Sequence, residues 1–268
     1  MYASTISVSL RSVPHDSEQN TATSIRREAG PASGRRWYAA LRARTRMSYD
    51  RDEFYGDILE GLAAWFASPQ IADLRATVSR FAEPDLGVAL NRNQVTSKLW
   101  LVESLRQSAG AAFGTVTVLG GWFGVLGAIL LCDRRLSIGR VVSVDLDPRC
   151  AAVAESLNAT QVRAGRFVAQ TADMRTLDYA PVAGTTSPPD LLINTSCEHV
   201  VGFAQWYARL PAGQLLVLQS NDYYAIADHV NCVPDLEAFR AQAPLREELF
   251  AGEQPHKRYR RFMLIGRK

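Results

Sequence analysis

The chain has 268 residues, 47% of them hydrophobic and 21% charged, with 18 Gly and 12 Pro. That is enough to bury one full core with a smaller appendage, and it excludes collagen-like, disulfide-scaffold and wholly disordered chains. No apolar run nears the roughly 18 uncharged residues of a membrane span. The net charge of +3 divides unevenly. Residues 1–46 hold eight Arg and three acids, residues 256–268 hold six Lys or Arg and no acid, and 47–255 hold 16 basic and 24 acidic residues. Positive charge kept in the tails argues against nucleic acid as the main partner. Cys132, Cys150, Cys197 and Cys232 form no C-x-x-C pair, zinc set or dense disulfide framework, so reduced thiols in a cytoplasmic protein are expected.

In chain order, residues 1–46 are Ser-, Thr- and Arg-rich without a sustained apolar period, which predicts a disordered leader with a short helix around Trp37–Arg46. Residues 47–110 read as a helical cap or lid. Phe54, Ile58, Leu62 and Phe66 recur every four residues, marking one apolar stripe. A second helix over Gln70–Phe81 points Ile71, Leu74, Val78 and Phe81 inward, with Pro69 at its start. A third over Gln94–Ser108 carries Leu99, Val102 and Leu105 and is capped by Asn93 or Thr96.

From residue 111 to 268 the pattern becomes strand, helix, strand. Strands are predicted at Thr115–Leu119, Arg140–Val144, Arg166–Gln170, Leu191–Asn194 and Gln214–Leu218. Helices are expected at Val125–Asp133, Arg149–Asn158 and Gly202–Leu210. Two further strands, Leu245–Ala251 and Tyr259–Gly266, predict a terminal hairpin. This alternation predicts an α/β fold: a Rossmann-like, seven-stranded, mainly parallel sheet with a terminal antiparallel hairpin and an N-terminal helical lid.

Three strand ends carry chemistry. Gly120, Gly121, Trp122 and Gly124 follow the first strand, where glycines allow a sharp turn and close backbone approach to a ligand. Asp145 ends the second strand, placed to accept hydrogen bonds from ribose hydroxyls, while Asp147 before Pro148 suits a helix cap. Asp173 and Met174 end the third. The G-G-W-F-G turn is not the G-x-G-x-x-G of a dinucleotide dehydrogenase.

With these residues the segment Ala112–Lys268 resembles the class I S-adenosylmethionine-dependent methyltransferases. The resemblance implies that Gly120, Gly121 and Gly124 meet the methionine part of the cofactor and that Asp145 holds the ribose. Asp173 and Met174 then fall at the adenine, and Asn194 at the meeting of cofactor and acceptor. Two departures stand out: Val118 replaces the usual acid before the first glycine, and Trp122 replaces the central glycine. Trp122 with its neighbour Phe123 is either packing or an aromatic face near the sulfonium.

The strand-four outlet lacks the Asn-Pro-Pro-Tyr of many base-modifying enzymes. Glu198 and His199 there are candidate catalytic bases, and the alternative is a helix cap and a surface histidine. Ser196, Asn221, Tyr223, Tyr224 and His229 are candidate acceptor contacts, or otherwise a solvated loop. Lys98 is a candidate for the cofactor carboxylate. Four dispersed histidines suggest no metal.

The expected function is methyl transfer from S-adenosylmethionine to a small polar metabolite, without nucleic acid or membrane partners. One alternative is an enzyme that transfers or cyclises the aminocarboxypropyl group, releasing methylthioadenosine. Another is a non-catalytic cofactor-binding protein.

Overall fold

Short runs rich in apolar and β-branched residues form most of the strands, and the computed structural model describes residues 51–81, 84–179 and 190–268. The leader expected over 1–46 lies outside the described residues. The strands are β1 (Ala112–Leu119), β2 (Ser137–Asp145), β3 (Phe167–Thr171), β4 (Leu191–Asn194), β5 (Leu215–Asn221), β6 (Glu247–Pro255) and β7 (Arg260–Arg267). They join in the order β3-β2-β1-β4-β5-β7-β6. Strands β1 to β5 are mutually parallel, and β7 runs antiparallel to both of its neighbours. The seven-stranded, mainly parallel sheet with its terminal antiparallel hairpin is the architecture expected from the sequence.

The helices are α1 (Arg51–Phe66), α2 (Pro69–Arg80), α3 (Pro84–Ala89), α4 (Arg92–Ser108), α5 (Val125–Cys132), α6 (Pro148–Leu157), α7 (Ala159–Arg163), α8 (Phe203–Arg209) and α9 (Leu236–Gln242). The two-residue strand period sorts the core into layers. Leu191 and Ile193 of β4 face Leu101, Val102 and Leu105 of α4 and Leu126 and Leu130 of α5. Leu192 faces the other way, with Phe203 and Trp206 of α8 and Phe239 of α9. A smaller cluster joins Leu86 and Ala89 of α3 to Phe123, Val125 and Val153, with Leu74 and Val78 of α2 against it.

The N-terminal helices depart from expectation in three details. Ile58 and Phe66, expected inward, are 43% and 57% exposed. The half-buried side of α1 is Gly56, Leu59, Leu62 and Ala63 instead. Leu99 faces outward, while Leu101 takes its place in the core. The cap of α4 is Asn91, whose side chain accepts from the Gln94 N–H at 2.9 Å, rather than Asn93 or Thr96. Helix α4 belongs to the sheet's own core.

The basic C-terminus is not a tail. Residues 260–267 form β7, paired on both sides inside the sheet, and Arg261 is 5% exposed. Charge counting along the sequence misses this because hydrogen-bonded pairing, and not composition, buries the strand. No helix among the described residues is long and apolar enough to cross a membrane.

Candidate active site

The strand order reverses between β1 and β4, and at such a switch point the carboxyl ends of the strands open a crevice. A cleft of about 670 Å³ lies there. It is lined by Gly120 and Gly121 after β1, Asp145 of β2, Ala172 after β3, Thr195 after β4 and Asn221 of β5, with Lys98 of α4 and residues of the α3–α4 segment closing one wall.

The first turn is built on backbone geometry that side chains resist. A Cβ on Gly121 would lie 2.0 Å from Ser143 Oγ, so glycine is what lets the turn lie against β2. The Gly121 N–H donates to the Val144 carbonyl at 2.9 Å. Trp122 adopts a φ of 48°, the left-handed region that costs a non-glycine residue free energy. Its N–H donates to Asp145 Oδ2 at 2.7 Å, which holds the turn in place. The indole stacks on Phe123 at 5.2 Å, and both line the cleft. Gly124, expected to touch a cofactor, does not line the cleft. With φ 73° it opens α5, and a Cβ there would press on Asn158 and Ala154 of the neighbouring segment. Its role is packing.

Asp145 is half-buried and oriented by the backbone: Oδ2 accepts from Trp122 and Oδ1 from the Asp147 N–H at 3.0 Å. Asp147 caps α6 through the Arg149 N–H, as its position before Pro148 predicts. Asp173 lines the cleft, but both its oxygens are engaged by the Arg175 guanidinium, at 2.7 Å to Nη2 and 3.0 Å to Nε. That pairing holds the Asp173 carboxyl below the usual carboxylate range. Met174 also lines the cleft, and its sulfur accepts from Asn194 Nδ2 at 3.4 Å. Asn194 itself is buried beneath the lining, with Oδ1 accepting from the Ser196 N–H at 2.8 Å. It shapes the β4 outlet from behind, while Ser196 lines the cleft.

Lys98 is 9% exposed, and its ammonium donates to Gln94 Oε1 at 2.8 Å. Burial, assisted by the positive charge of Arg261 and opposed by Glu198, brings its pKa down to about 7.

At the β4 and β5 outlets a polar cluster assembles. Glu198 is 2% exposed within the short 3₁₀ turn Cys197–His199. Its Oε1 accepts from Asn221 Nδ2 at 2.6 Å and faces Arg261 Nη2 at 3.5 Å. Arg261 is fixed in turn by donating to the Thr195 carbonyl at 2.9 Å. His199 and His229 meet edge to face, with ring centroids 4.6 Å apart. Tyr223 lines the cleft beside His229 and stacks on Tyr259 at 5.4 Å. Tyr224, expected at the acceptor, is 60% exposed and does not line the cleft. Burial pushes the Cys232 thiol up to about 11 and the Cys197 thiol well above its ordinary value, so neither supplies a thiolate at neutral pH.

Sequence reasoning passed over Arg261, Tyr259, Gln94 and Ile226, all of which line the cleft. The available signal for Arg261 was a charge standing directly before the apolar run Phe262–Ile265, where a strand entering the core has little reason to begin with an unpaired arginine.

No protein-family model and no curated protein matches the chain. Among solved structures, the N-methyltransferase NodS from Bradyrhizobium japonicum WM9, in complex with S-adenosyl-L-homocysteine, aligns with a TM-score of 0.51 at 14% identity, covering 74% of this chain and 97% of that one. A second structure of the same protein gives 0.49 at 12% identity, with 67% and 99% covered. Geranyl diphosphate C-methyltransferase from Streptomyces coelicolor A3(2) gives 0.47 at 13%, with 70% and 85% covered. At these identities the likeness is one of fold, and the complexed NodS structure carries it: the chain has the fold of the class I S-adenosylmethionine-dependent methyltransferases.

Proposed function

We propose that the chain transfers a methyl group from S-adenosylmethionine to a small polar acceptor. The observation that carries this reading is a single switch-point cleft lined by two kinds of group: an oriented carboxylate and a buried amine suited to the donor, and a carboxylate–imidazole cluster suited to an acceptor. The residues fit the donor. Each oxygen of Asp145 takes one backbone N–H and keeps lone-pair capacity for a ribose hydroxyl. Lys98, whose ammonium donates to Gln94, can meet the amino-acid carboxylate. Trp122 and Met174 offer an aromatic face and a polarizable thioether to the adenine and the sulfonium. Asp173 would reach the adenine only by sharing its oxygens with Arg175.

When bound, S-adenosylmethionine supplies an electrophilic methyl group that needs no further activation. The protein's work is therefore positioning, water exclusion and proton management at the acceptor. The α3–α4 segment acts as the lid over the cleft, keeping water from the methyl group. Glu198, His199 and His229 bind the acceptor heteroatom and receive its proton, and Ser196, Asn221 and Tyr223 orient the rest of the molecule. The capacity of a 670 Å³ cleft suits a nucleoside donor with a small second substrate better than a polymer.

The test is the fate of sulfur. Purified protein is incubated with methyl-labelled S-adenosylmethionine and a pool of polar metabolites, and the products are separated. The expected result is S-adenosylhomocysteine with the label in one acceptor. Methylthioadenosine in its place would replace methyl transfer by aminocarboxypropyl chemistry, and no turnover over a broad pool would leave a binding protein.

A further inference from the structure

We propose that Glu198, His199 and His229 form a binding site for a divalent first-row transition metal. One ligand atom from each lies within 4.8 Å of the other two. Ligands at about 2.0–2.2 Å from a shared ion stand roughly 3–3.5 Å apart, so the cluster reaches coordination distance by closing at most about 1.3–1.8 Å. Two imidazoles and one carboxylate are a donor set that suits zinc, iron or their neighbours and not magnesium or calcium. Three protein ligands also leave coordination positions open to the cleft.

The second layer of contacts prepares each ligand. His199 Nδ1 lies 3.1 Å from the Asp228 carbonyl, and His229 Nδ1 lies 2.7 Å from the Tyr223 carbonyl. A carbonyl oxygen only accepts, so each contact is a hydrogen bond when Nδ1 carries the proton, the tautomer that leaves Nε2 of a neutral ring its lone pair. This is how metal-binding histidines are oriented and their tautomer set. Glu198 is prepared in the same way. Asn221 and Arg261 hold Oε1. Oε2 has no hydrogen-bond partner among the described residues, although the residue is 2% exposed. A buried carboxylate oxygen left unpaired is costly, and a cation would satisfy it.

Charge indicates what the open positions take. Arg261 already balances the single negative charge of Glu198, so a divalent ion leaves the site net positive. That favours an anionic oxygen or a carboxylate as the added ligand. In the loaded site the cation, in place of the free Glu198 and imidazole bases, would grip the acceptor through such an oxygen, a role that rests on the methyl-transfer reading, whereas the metal site itself does not.

The experiment uses the full chain, stripped with a chelator and titrated with Co²⁺ in the absence of any nucleoside. The expected result is saturable binding of one equivalent with a visible ligand-field band, displaced by Zn²⁺. His199→Ala and His229→Ala should each weaken binding by more than the ~100-fold that loss of an outer-shell partner can cost. His199 is exposed, so its replacement leaves packing intact. Absence of saturable binding, or one-equivalent binding that neither histidine variant weakens, overturns the site. S-adenosylhomocysteine is titrated separately into the same sample. Nucleoside binding without Co²⁺ binding overturns the metal site and leaves the methyl-transfer reading standing. Co²⁺ binding without nucleoside binding keeps the site and removes its acceptor role.

Discussion

Lys98 shows how burying a single charged side chain makes stability depend on pH. Its ammonium is buried, and its pKa is about 7 against an ordinary value near 10.5. The unfolded chain therefore holds a proton that the folded chain releases between these values, so stability rises with pH across that window. Below pH 7 both states are protonated and the full cost is present. Lys98→Met keeps the apolar stem and removes the charge, so its melting temperature should exceed that of wild type near pH 6.5, with the advantage vanishing toward pH 10. If the ammonium meets the donor carboxylate, the variant should also bind S-adenosylhomocysteine more weakly at pH 6.5. The wild-type advantage in affinity should shrink by pH 8.5, where the free amine is largely neutral. Melting curves and calorimetry at the two pH values check both halves. A variant with wild-type affinity at both would remove Lys98 from the donor site. At this scale the strand-end residues were readable in the sequence: Gly120, Asp145 and Met174 all line the cleft. Gly124, Asn194 and Tyr224 do not, because motif position does not reveal whether a side chain faces the crevice or the layer behind it.

The glycine turn after β1 shows how one residue sets the spacing between elements. Gly121 brings β1's outlet against β2, and a Cβ there collides with Ser143. Gly121→Ala should cost roughly 1–3 kcal/mol as overpacking, lowering the melting temperature by several degrees. Ser143→Gly in the same chain should recover part of that loss, since it removes both Oγ and Cβ. A double variant no more stable than Gly121→Ala would mean that the strain lies in the turn's own backbone. All seven strands were legible, six of them as compact apolar runs, but β6 runs on through the polar residues 252–255 rather than ending at Ala251, because pairing with β7 and not composition sets its length. Helices α3, α7 and α9 were not: at five to seven residues they are too short to show a 3.6-residue period. The stripe on α1 was misplaced because a repeat of four drifts around a helix of 3.6 residues per turn.

For the molecule as a whole, parallel pairing of β1 to β5 creates the crevice, and the antiparallel β7 closes the site by delivering Arg261 to Glu198. The class of fold could be read from the alternation of strands and helices. The acceptor cluster could not, because Glu198 and His229 stand 31 positions apart in sequence and only the pairing of β4 with β5 sets their segments side by side. Binding of the donor nucleoside in this cleft through Asp145 is read by calorimetric titration of the purified chain with S-adenosylhomocysteine, the demethylated donor. One-to-one binding is expected, falling at least tenfold in Asp145→Ala with the fold intact, since charge-assisted hydrogen bonds of about 1.5–3 kcal/mol each are lost. No binding, a preference for NAD, or full affinity in Asp145→Ala would contradict it.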